Sequence, residues 1–394
     1  MSMSEWKDYN LTDVCDTISD TYRDGAEKVV LINTSDVLEG KVTNHEFVPN
    51  KNLAGQFKKK FQKDDILYSE IRPANRRYAY VDFEPKDYIA STKLMVLRSK
   101  PCILPKYLYY LLTNNTTINN LHAIAIGRSG TFPQITYSEL ANIKFKLPSV
   151  DEQKEILSAL LNFDDKIAVN KKICENLEAQ AQALFKHWFV DFAPFKNGKF
   201  VESELGLIPE GWRVGTLGEI TDITMGQSPA GSSYNEKGEG IIFYQGRTEF
   251  GFRYPSVRLY TTEPKRFAEP LSTLLSVRAP VGDINVATDK CCIGRGLASI
   301  KSNKNFHSYI FYLLQSMKKR FDVYNGEGTV FGSINKDTLN SLRIIIPSNS
   351  IILDFEEIVE EIDKKILGCH QENLRLSTLR DTLLPKLMSG QIKV

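Results

Sequence analysis

Two stretches of the sequence match each other and decide the fold: Leu147-Pro-Ser149-Val-Asp-Glu-Gln-Lys and Ile346-Pro-Ser348-Asn-Ser-Ile-Ile-Leu. They are separated by a constant offset of 199 residues (147 to 346). At the same offset, Gly127-Arg-Ser-Gly-Thr-Phe-Pro-Gln-Ile135 aligns with Gly326-Glu-Gly-Thr-Val-Phe-Gly-Ser-Ile334, and Asp164 aligns with Asp363. A fixed period in a chain indicates a repeated architecture. We therefore expect two copies of one module, each a globular block followed by a helix.

Charge divides the 394 residues into the same segments. The whole chain has 50 basic and 48 acidic residues. By our count, residues 1–149 have net charge +3, 150–204 −3, 205–348 +4 and 349–394 −2. This division predicts a first block, a central helix with its linker, a second block and a C-terminal helix. The basic excess of the two blocks permits nucleic-acid binding but is weak evidence for it alone.

Each block combines short β-rich runs with a helical run, which predicts the α+β class. Every run is bounded by residues that favour turns, and most have a counterpart in the other half. The predicted strands are 29–32, 65–68, 94–97, 241–244, 274–277 and 297–300, and the predicted helices are 107–112 and 308–319. Each block ends in an apolar strand closed by proline, at 144–148 and 343–347.

The acidic segments predict two long antiparallel coiled-coil helices. Ser149 is a plausible N-cap, and Glu152, three residues later, completes a capping-box pattern. Apolar residues then recur at alternating spacings of three and four, from Ile156 to Trp188 and from Phe355 to Leu387. Each stripe carries one asparagine, Asn170 or Asn373. These asparagines either make a polar contact that sets the register or face water.

Several classes of protein are not indicated. No window approaches 18 consecutive apolar residues, the N-terminus lacks the apolar core of a secretory signal, and the six cysteines lack zinc spacing. We expect a cytoplasmic protein. The sequence lacks GxGxxG, Walker, HExxH and GxSxG motifs, and the proline in Glu84-Pro-Lys86 and in Glu263-Pro-Lys265 favours turns over nuclease sites. We therefore expect no cofactor, no metal site and no catalytic residue.

This organisation resembles the specificity (S) subunit of type I restriction-modification enzymes. The resemblance covers essentially the whole chain. Its most specific parts are the Leu-Pro-Ser and Ile-Pro-Ser junctions, the Gly-Thr-Phe and Gly-Thr-Val segments, and the C-terminal Leu383-Leu-Pro-Lys-Leu-Met-Ser-Gly390. The first helix has Leu184-Phe-Lys-His-Trp-Phe189 instead, which departs at the Pro and the Met-Ser-Gly.

The resemblance implies a non-catalytic subunit that recognises double-stranded DNA. Residues 1–149 and 205–348 would be target recognition domains, each reading one half of a gapped DNA sequence. The helices would set the spacing and hold two methyltransferase (M) subunits, and restriction/translocase (R) subunits would join the complex. Two other functions stay open: an autonomous two-headed DNA-binding regulator, and a coiled-coil assembly protein without nucleic acid.

Base reading requires Arg, Lys, Asn or Gln on loops. Loops at corresponding positions of the two repeats are the best candidates, with Arg72 paired to Arg278 and the turn at Lys93 paired to Arg295. The candidate DNA-binding residues are Asn33, Ser35, Arg72, Arg76, Arg77, Lys93, Arg128, Gln134, Gln245, Arg247, Arg278 and Arg295. The runs Lys58-Lys-Lys60 and Lys318-Lys-Arg320 suit phosphate contacts or a solvated surface.

Aromatic residues crowd the end of the first helix beyond what two paired helices need. This surplus predicts a partner surface. The candidate partner-binding residues are Phe185, Trp188, Phe189, Leu383 and Leu387.

Overall fold

The computed structural model describes residues 6–51, 55–128, 132–325 and 332–393. The chain forms two compact units, which are described separately. Unit 1 contains Met1–Asn170 and Gln371–Val394, and unit 2 contains Lys171–His370. Each unit thus combines one globular block with part of both long helices. The division between the units falls within the two long helices, and the predicted boundaries at 149, 204 and 348 stay predictions.

The block of unit 1 is built from short elements. They are β1 (Lys7–Asn10), α1 (Leu11–Val14), β2 (Cys15–Ile18), β3 (Lys28–Ile32), β4 (Val37–Leu38), β5 (Lys41–Val42), β6 (Phe47–Pro49), β7 (Phe57–Lys59), β8 (Ile66–Ser69), β9 (Tyr78–Tyr80), β10 (Tyr88–Ser91), β11 (Leu94–Ser99), α2 (Pro105–Thr113), α3 (Asn115–Arg128), α4 (Tyr137–Ala141) and β12 (Lys144–Leu147).

Two four-stranded sheets and a closing pair organise these strands. One sheet has the order β6-β3-β10-β7, in which β3 and β10 are parallel, and the other has the order β2-β11-β8-β9. β1 pairs antiparallel with β12, so that Lys7 lies opposite Leu147 and the first and last strands close the block. The strands β8 and β11 are apolar on both faces because other layers cover them. The predicted strands and the predicted helix of this block are confirmed.

The first long helix, α5 (Val150–Phe185), begins after the predicted cap. The backbone N–H of Glu152 donates to Ser149 Oγ at 3.3 Å. Glu152 Oε1 accepts a hydrogen bond from the indole N–H of Trp6 at 3.0 Å. The capping residue is therefore confirmed, and the glutamate three residues later links the start of the helix to Trp6, the residue before β1.

The elements of unit 2 follow α5. They are β13 (Phe200–Ser203), β14 (Gly206–Pro209), β15 (Arg213–Thr216), α6 (Leu217–Ile220), β16 (Thr221–Met225), β17 (Tyr234–Asn235), β18 (Ile241–Tyr244), β19 (Leu259–Thr261), β20 (Phe267–Ala268), β21 (Thr273–Ser276), β22 (Ile284–Val286), β23 (Cys291–Ile293), β24 (Leu297–Ser302), α7 (His307–Ser316), α8 (Lys318–Asp322), α9 (Lys336–Asn340), β25 (Arg343–Ile346) and the second long helix α10 (Asn349–Met388).

The sheets of unit 2 repeat those of unit 1. The order β16-β24-β21-β22 corresponds to β2-β11-β8-β9, and β18 and β23 form a parallel pair as β3 and β10 do. β15 pairs antiparallel with β25, with Arg213 opposite Ile346, as in the closing pair of unit 1. The hairpin β13–β14 precedes this repeated pattern. The predicted α+β repeat is therefore confirmed at the level of strand order and direction.

The two long helices pair antiparallel in each unit. In unit 1, Asn170 Nδ2 donates to Asn373 Oδ1 at 3.0 Å, and Arg380 Nη1 donates to Asp164 Oδ1 at 2.6 Å. In unit 2, Cys174 Sγ lies 3.8 Å from Ile366 O, and the rings of Phe185 and Phe355 lie 5.8 Å apart. Residue numbers fall along one helix as they rise along the other. The antiparallel prediction is confirmed, and Asn170 makes the polar seam contact rather than facing water.

Candidate nucleic-acid interface

The loop after β3 uses one candidate side chain to build its own turn. Asn33 caps a short 3-10 helix at Thr34–Asp36, and its side chain accepts from the backbone N–H of Thr34 at 2.9 Å. Ser35 is exposed, and its carbonyl accepts from Arg77 Nη1 at 2.9 Å. Ser35 and Arg77, 42 residues apart in sequence, therefore lie together, while the Asn33 side chain is engaged locally.

The turn after β8 presents Arg72 at the surface of unit 1. Arg72 is exposed and has a left-handed backbone (φ 44°), and its N–H donates to Pro133 O at 3.0 Å. A bridge between Ile71 and Gln134 brings the latter to the same place. Arg76, also left-handed, donates from Nη2 to Asn115 Oδ1 at 2.6 Å. The structure thus assembles these three candidates around one turn.

Two cations of unit 1 have carboxylate partners. Lys93 Nζ lies 3.5 Å from Glu70 Oε2, and Arg128 forms an ion pair with Glu139. The backbone N–H of Glu70 also donates to Lys93 O at 3.1 Å, which joins the Lys93 turn to the Arg72 turn. Exposed ion pairs of this kind are weak, so both cations remain available to a phosphate. Ser129, another residue of the glycine segment, lies outside the described residues.

A glycine turn organises the candidates of unit 2. Gln245 follows β18, and a Cβ atom added to Gly294 would lie 2.6 Å from Gln245 O, so the two backbones touch. Arg295 is on this turn, and Val277 N–H donates to Gly296 O at 2.9 Å. Arg278 is the residue after Val277. Gln245, Arg278 and Arg295 are therefore brought together and are all exposed.

Arg247, two residues after Gln245, has a carboxylate partner of its own. It forms an ion pair with Asp283, which also accepts from Lys318 Nζ at 2.7 Å. The three side chains line a cleft of about 360 Å³ together with Asn285 and Gln315. One carboxylate thus offsets part of the positive charge of the two cations.

The expected pairing of Arg72 with Arg278 is wrong by one residue. Arg72 N–H donates to Pro133 O, whereas the corresponding bond in unit 2 comes from Ala279 N–H to Gly332 O at 3.0 Å. The isolated bridges agree, because Ile71 pairs with Gln134 and Arg278 pairs with Ser333. Ala279 is thus the counterpart of Arg72. Arg72 and Arg278 therefore stand at different positions of their turns.

The basic runs are only partly solvated. In unit 1, Lys59 Nζ donates to Leu94 O at 2.7 Å, and Lys60 Nζ lies 2.6 Å from Asp24 Oδ2. In unit 2, Arg320 Nη1 donates to Arg343 O at 2.8 Å. Lys58 and Lys319 are exposed. The residues around Glu84-Pro-Lys86 form a turn in which Lys86 N–H donates to Glu84 O, as expected.

The expected partner surface at the end of α5 is instead largely core. The helix continues as a π-helical turn, Lys186–Val190, and the ring of Phe189 lies 5.0 Å from Tyr309, 5.1 Å from Phe355 and 5.9 Å from Trp212. Phe185 packs in the same cluster. From Ala181 onward, every fourth residue of the helix is buried. The buried face therefore contains Phe185 and Phe189, whereas the predicted stripe contained Leu184 and Trp188.

The C-terminal pair behaves similarly in unit 1. Leu387 is buried and Leu383 is partly buried, both against the core that contains Leu11 and Leu108. Phe185, Phe189 and Leu387 therefore cannot serve as exposed anchors, because their own unit covers them. A role for Trp188 and Leu383 in partner binding stays a prediction.

The sequence interpretation missed a buried ionic cluster in unit 2. Arg253 donates from Nη1 to Glu178 Oε2 at 2.7 Å, and its Nη2 lies 2.8 Å from Asp363 Oδ1. Tyr312 Oη also accepts from Arg253 at 2.8 Å. Burial raises the pKa of Asp363, and the Arg253 guanidinium opposes that rise. The 199-residue offset, which aligns Asp164 with Asp363, pointed to Asp363 as one residue of this cluster. No local feature of the sequence pointed to Arg253.

No group of three His, Cys, Asp or Glu side chains that could hold a metal ion is present among the described residues. Within the same ranges, no helix combines the length and apolar character of a membrane span.

Comparison with known proteins gives one consistent family. The family model described as "Type I restriction modification DNA specificity domain" matches residues 3–179 and 209–371. The chain is similar to the HindI type I restriction enzyme specificity subunit of Haemophilus influenzae, with 32% identity over 99% of this chain and 100% of the relative. It is also similar to the MjaIX specificity subunit of Methanocaldococcus jannaschii, with 32% identity over 85% of this chain and 79% of the relative.

A solved structure has the same fold. The type I restriction-modification S subunit from M. genitalium matches with a TM-score of 0.52 and 18% identity, over 98% of this chain and 97% of that chain.

Proposed function

Since this chain belongs to the type I restriction modification DNA specificity family, as a specificity subunit with two recognition domains, we propose that each block reads one half of a gapped DNA target. The chain contributes recognition and scaffolding, and its partners contribute catalysis. The long helices set the spacing between the half-sites and hold two methyltransferase subunits, which restriction/translocase subunits join. The complex acts on double-stranded DNA in the cytoplasm.

The observation that carries the proposal is the repeat of one recognition face in two blocks. In unit 1, the turn between β10 and β11 carries Lys93 and lies beside the turn after β8, which carries Arg72. In unit 2, the turn between β23 and β24 carries Arg295 and lies beside the turn after β21, which carries Arg278. Arginine and lysine side chains can contact guanine edges or phosphates. Both turns carry a cation in each repeat, although the positions differ by one residue, since Lys93 corresponds to Gly296 and Arg72 to Ala279.

The candidates divide into two groups by their contacts. Arg72, Gln245, Arg278 and Arg295 are exposed and suit base edges. Lys93, Arg128 and Arg247 already face carboxylates and suit phosphates, since a DNA phosphate can replace such an exposed partner. Phosphate contacts position a protein, and base contacts specify the sequence. In unit 1 the first group consists of Arg72, and the candidates that flank it are Ser35, Arg76, Arg77 and Gln134.

Two linked recognition domains bind more tightly than either alone. After the first half-site is bound, the second contact becomes intramolecular and its effective concentration rises. Short half-sites therefore suffice for selective binding.

Exposed apolar side chains on the helices suit the methyltransferase subunits better than the buried aromatics do. In unit 1 these are Val169, Leu374 and Leu379, and in unit 2 they are Leu353 and Ile358. Scattered exposed apolar residues are ordinary on a monomer, but here they lie on helices whose paired faces are already filled.

The spacing role can be tested by lengthening both helices. Inserting seven residues beside Asn170 and beside Asn373 preserves the heptad register and lengthens each helix by about 10 Å. We expect the spacer of the preferred duplex to grow by roughly three base pairs, with unchanged half-sites, since DNA rises about 3.4 Å per base pair. The measurement is sequencing of duplexes that the complex, isolated from its native host, selects from a random library.

Two controls define the result. A seven-residue insertion in the linker at 196–199, outside both helices, should leave the spacer unchanged. Arg72→Ala and Arg278→Ala should each relax one half-site only. Changed half-sites with an unchanged gap after the helix insertions would show that the helices do not set the spacing.

A further inference from the structure

The glycine turn of unit 2 is held by close backbone contacts. A Cβ atom added to Gly226 would lie 2.1 Å from Gly294 O, and one added to Gly294 would lie 2.6 Å from Gln245 O. No larger residue fits without movement of the backbone. Three segments that are distant in sequence, around Gly226, Gln245 and Gly294, therefore meet in a single arrangement.

Hydrogen bonds fix the segment after β16 on this turn. Gly226 N–H donates to Leu297 O and Gln227 N–H donates to Ile293 O, both at 2.9 Å. Arg295 N–H donates to Ser228 Oγ at 3.3 Å. The backbones of Gln227 and Arg295 are thus held next to each other, and binding does not have to order them.

Gln227 has the chemistry for base reading and is not used by the fold. Its side chain is exposed and has no partner among the described residues, as is true of Arg295. A glutamine carboxamide offers a donor and an acceptor that match adenine N7 and N6, and arginine matches guanine O6 and N7. Side chains on a fixed backbone lose less entropy on binding than side chains on a mobile loop do.

Unit 1 is built differently at the corresponding place. Lys93 faces Glu70, whereas the counterpart of Glu70 in unit 2 is the buried Val277, which leaves Arg295 without a carboxylate there. The segment after β2 contains Asp20, whose carbonyl accepts from Lys60 N–H at 2.8 Å. By the registers of these strands, Asp20 corresponds to Gly226 and Thr21 to Gln227, so unit 1 has no amide side chain at this position.

We propose that Gln227 is a specificity-determining residue of the second recognition domain, which reads an adenine beside a guanine read by Arg295. The inference rests on the proposed function and adds to it a residue and a base identity. Its consequence is confined to the half-site read by unit 2.

Gln227→Glu tests the assignment through the base that it selects. A carboxylate accepts from cytosine N4 but cannot donate to adenine N7. In duplex selection from a random library with the complex isolated from its host, we expect one position of one half-site to change from adenine to cytosine. The preference for adenine should fall about tenfold or more. Gln227→Ala should lose the adenine preference without gaining another.

The matched control is Asn303→Asp. Asn303 is exposed at the opposite end of β24, so the same change from amide to carboxylate should leave both half-sites unaltered. If Gln227→Glu and Gln227→Ala both select the wild-type bases with wild-type affinity, the inference is wrong and the proposed function stands. A wild-type complex that selects no gapped motif would overturn both.

Discussion

The two units join their block to the long helices with the same pair of residues but with different arginines. In unit 1, Tyr110 Oη donates to Asp164, and Arg380 of α10 binds the same carboxylate. In unit 2, Tyr312 Oη donates to Asp363 at 3.2 Å, and the arginine is Arg253, from a loop of the block. The two repeats therefore share the tyrosine and the aspartate. The arginine comes from α10 in unit 1 and from a loop of the block in unit 2.

The source of the arginine determines how deeply it is buried. The side chain of Arg253 is 3% exposed and stacks on Phe311, with its guanidinium carbon 3.6 Å from the ring centroid. Arg380 is 27% exposed, and its partner Asp164 is 31% exposed. A buried guanidinium needs more compensation than a partly solvated one. Each arginine has a second carboxylate, the buried Glu178 for Arg253 and the exposed Asp381 for Arg380. The junction is therefore buried from solvent in unit 2 and partly exposed to solvent in unit 1.

A second difference concerns the start of the block helices. In unit 1, the neutral Gln153 accepts from Leu104 N–H at 2.9 Å, just before α2. In unit 2, Glu356 accepts from Tyr309 N–H at 2.6 Å, at the start of α7. Burial raises the pKa of Glu356 to about 7, and its backbone hydrogen bonds oppose that rise. Only the junction of unit 2 is therefore sensitive to pH near neutrality.

The largest expected effect comes from Arg253→Met. It leaves Glu178 and Asp363 buried without their cation, and loss of one partner from a buried pair costs about 3–5 kcal/mol. We expect the free energy of unfolding of unit 2 to fall by that amount, measured by hydrogen exchange of peptides from β24. The matched change in unit 1, Arg380→Met, should cost about 1 kcal/mol because its ion pair is partly solvated. Equal losses in the two units would contradict the contrast in burial.

Phe189→Ala should have a slightly smaller effect. Its ring fills the space between Trp212, Tyr309 and Phe355, and truncation of a buried phenylalanine costs about 3–4 kcal/mol. We expect lower protection of unit 2 in hydrogen exchange and unchanged protection in unit 1. Trp188→Ala, at a partly buried position, is the control and should cost less. If Phe189→Ala left unit 2 unchanged, the assignment of this ring to the core would be wrong.

The smallest effect is the pH dependence at Glu356. The folded-state pKa of about 7 lies above the ordinary value of 4.5, so unfolding releases a proton between these pH values. Stability from this group is therefore full below pH 4.5 and is lost as the pH rises to 7. Glu356→Gln keeps an acceptor for Tyr309 N–H and cannot ionise. We expect it to stabilise unit 2 by about 1–3 kcal/mol at pH 8 and little at pH 4.5.

The measurement is urea unfolding at both pH values. Gln153 is not interchangeable with Glu356, because its Nε2 also donates to Cys102 O and Pro148 O, both at 3.1 Å. A Glu356→Gln protein whose stability relative to wild type is the same at both pH values would show that Glu356 ionises normally in the folded state.

Sequence alone determined the parts of this protein that depend on local pattern and repetition. The 199-residue offset located both modules, the three-four spacing located both helices, and Ser149 marked the helix start, because each signal lies within one element or recurs along the chain. The paired positions of Asp164 and Asp363 were visible for the same reason.

Tertiary structure decided the contacts between distant segments. Arg253 and Arg380 occupy corresponding sites from unrelated positions, so no alignment of the repeats relates them. The correspondence of Arg72 with Ala279 was set by hydrogen bonds and bridges to residues 133–134 and 332–333, which are distant in sequence. Phe189 became core instead of surface because the buried face of α5 moves at Ala181. Each outcome depends on which surfaces meet, and that is set by the packing of the whole unit.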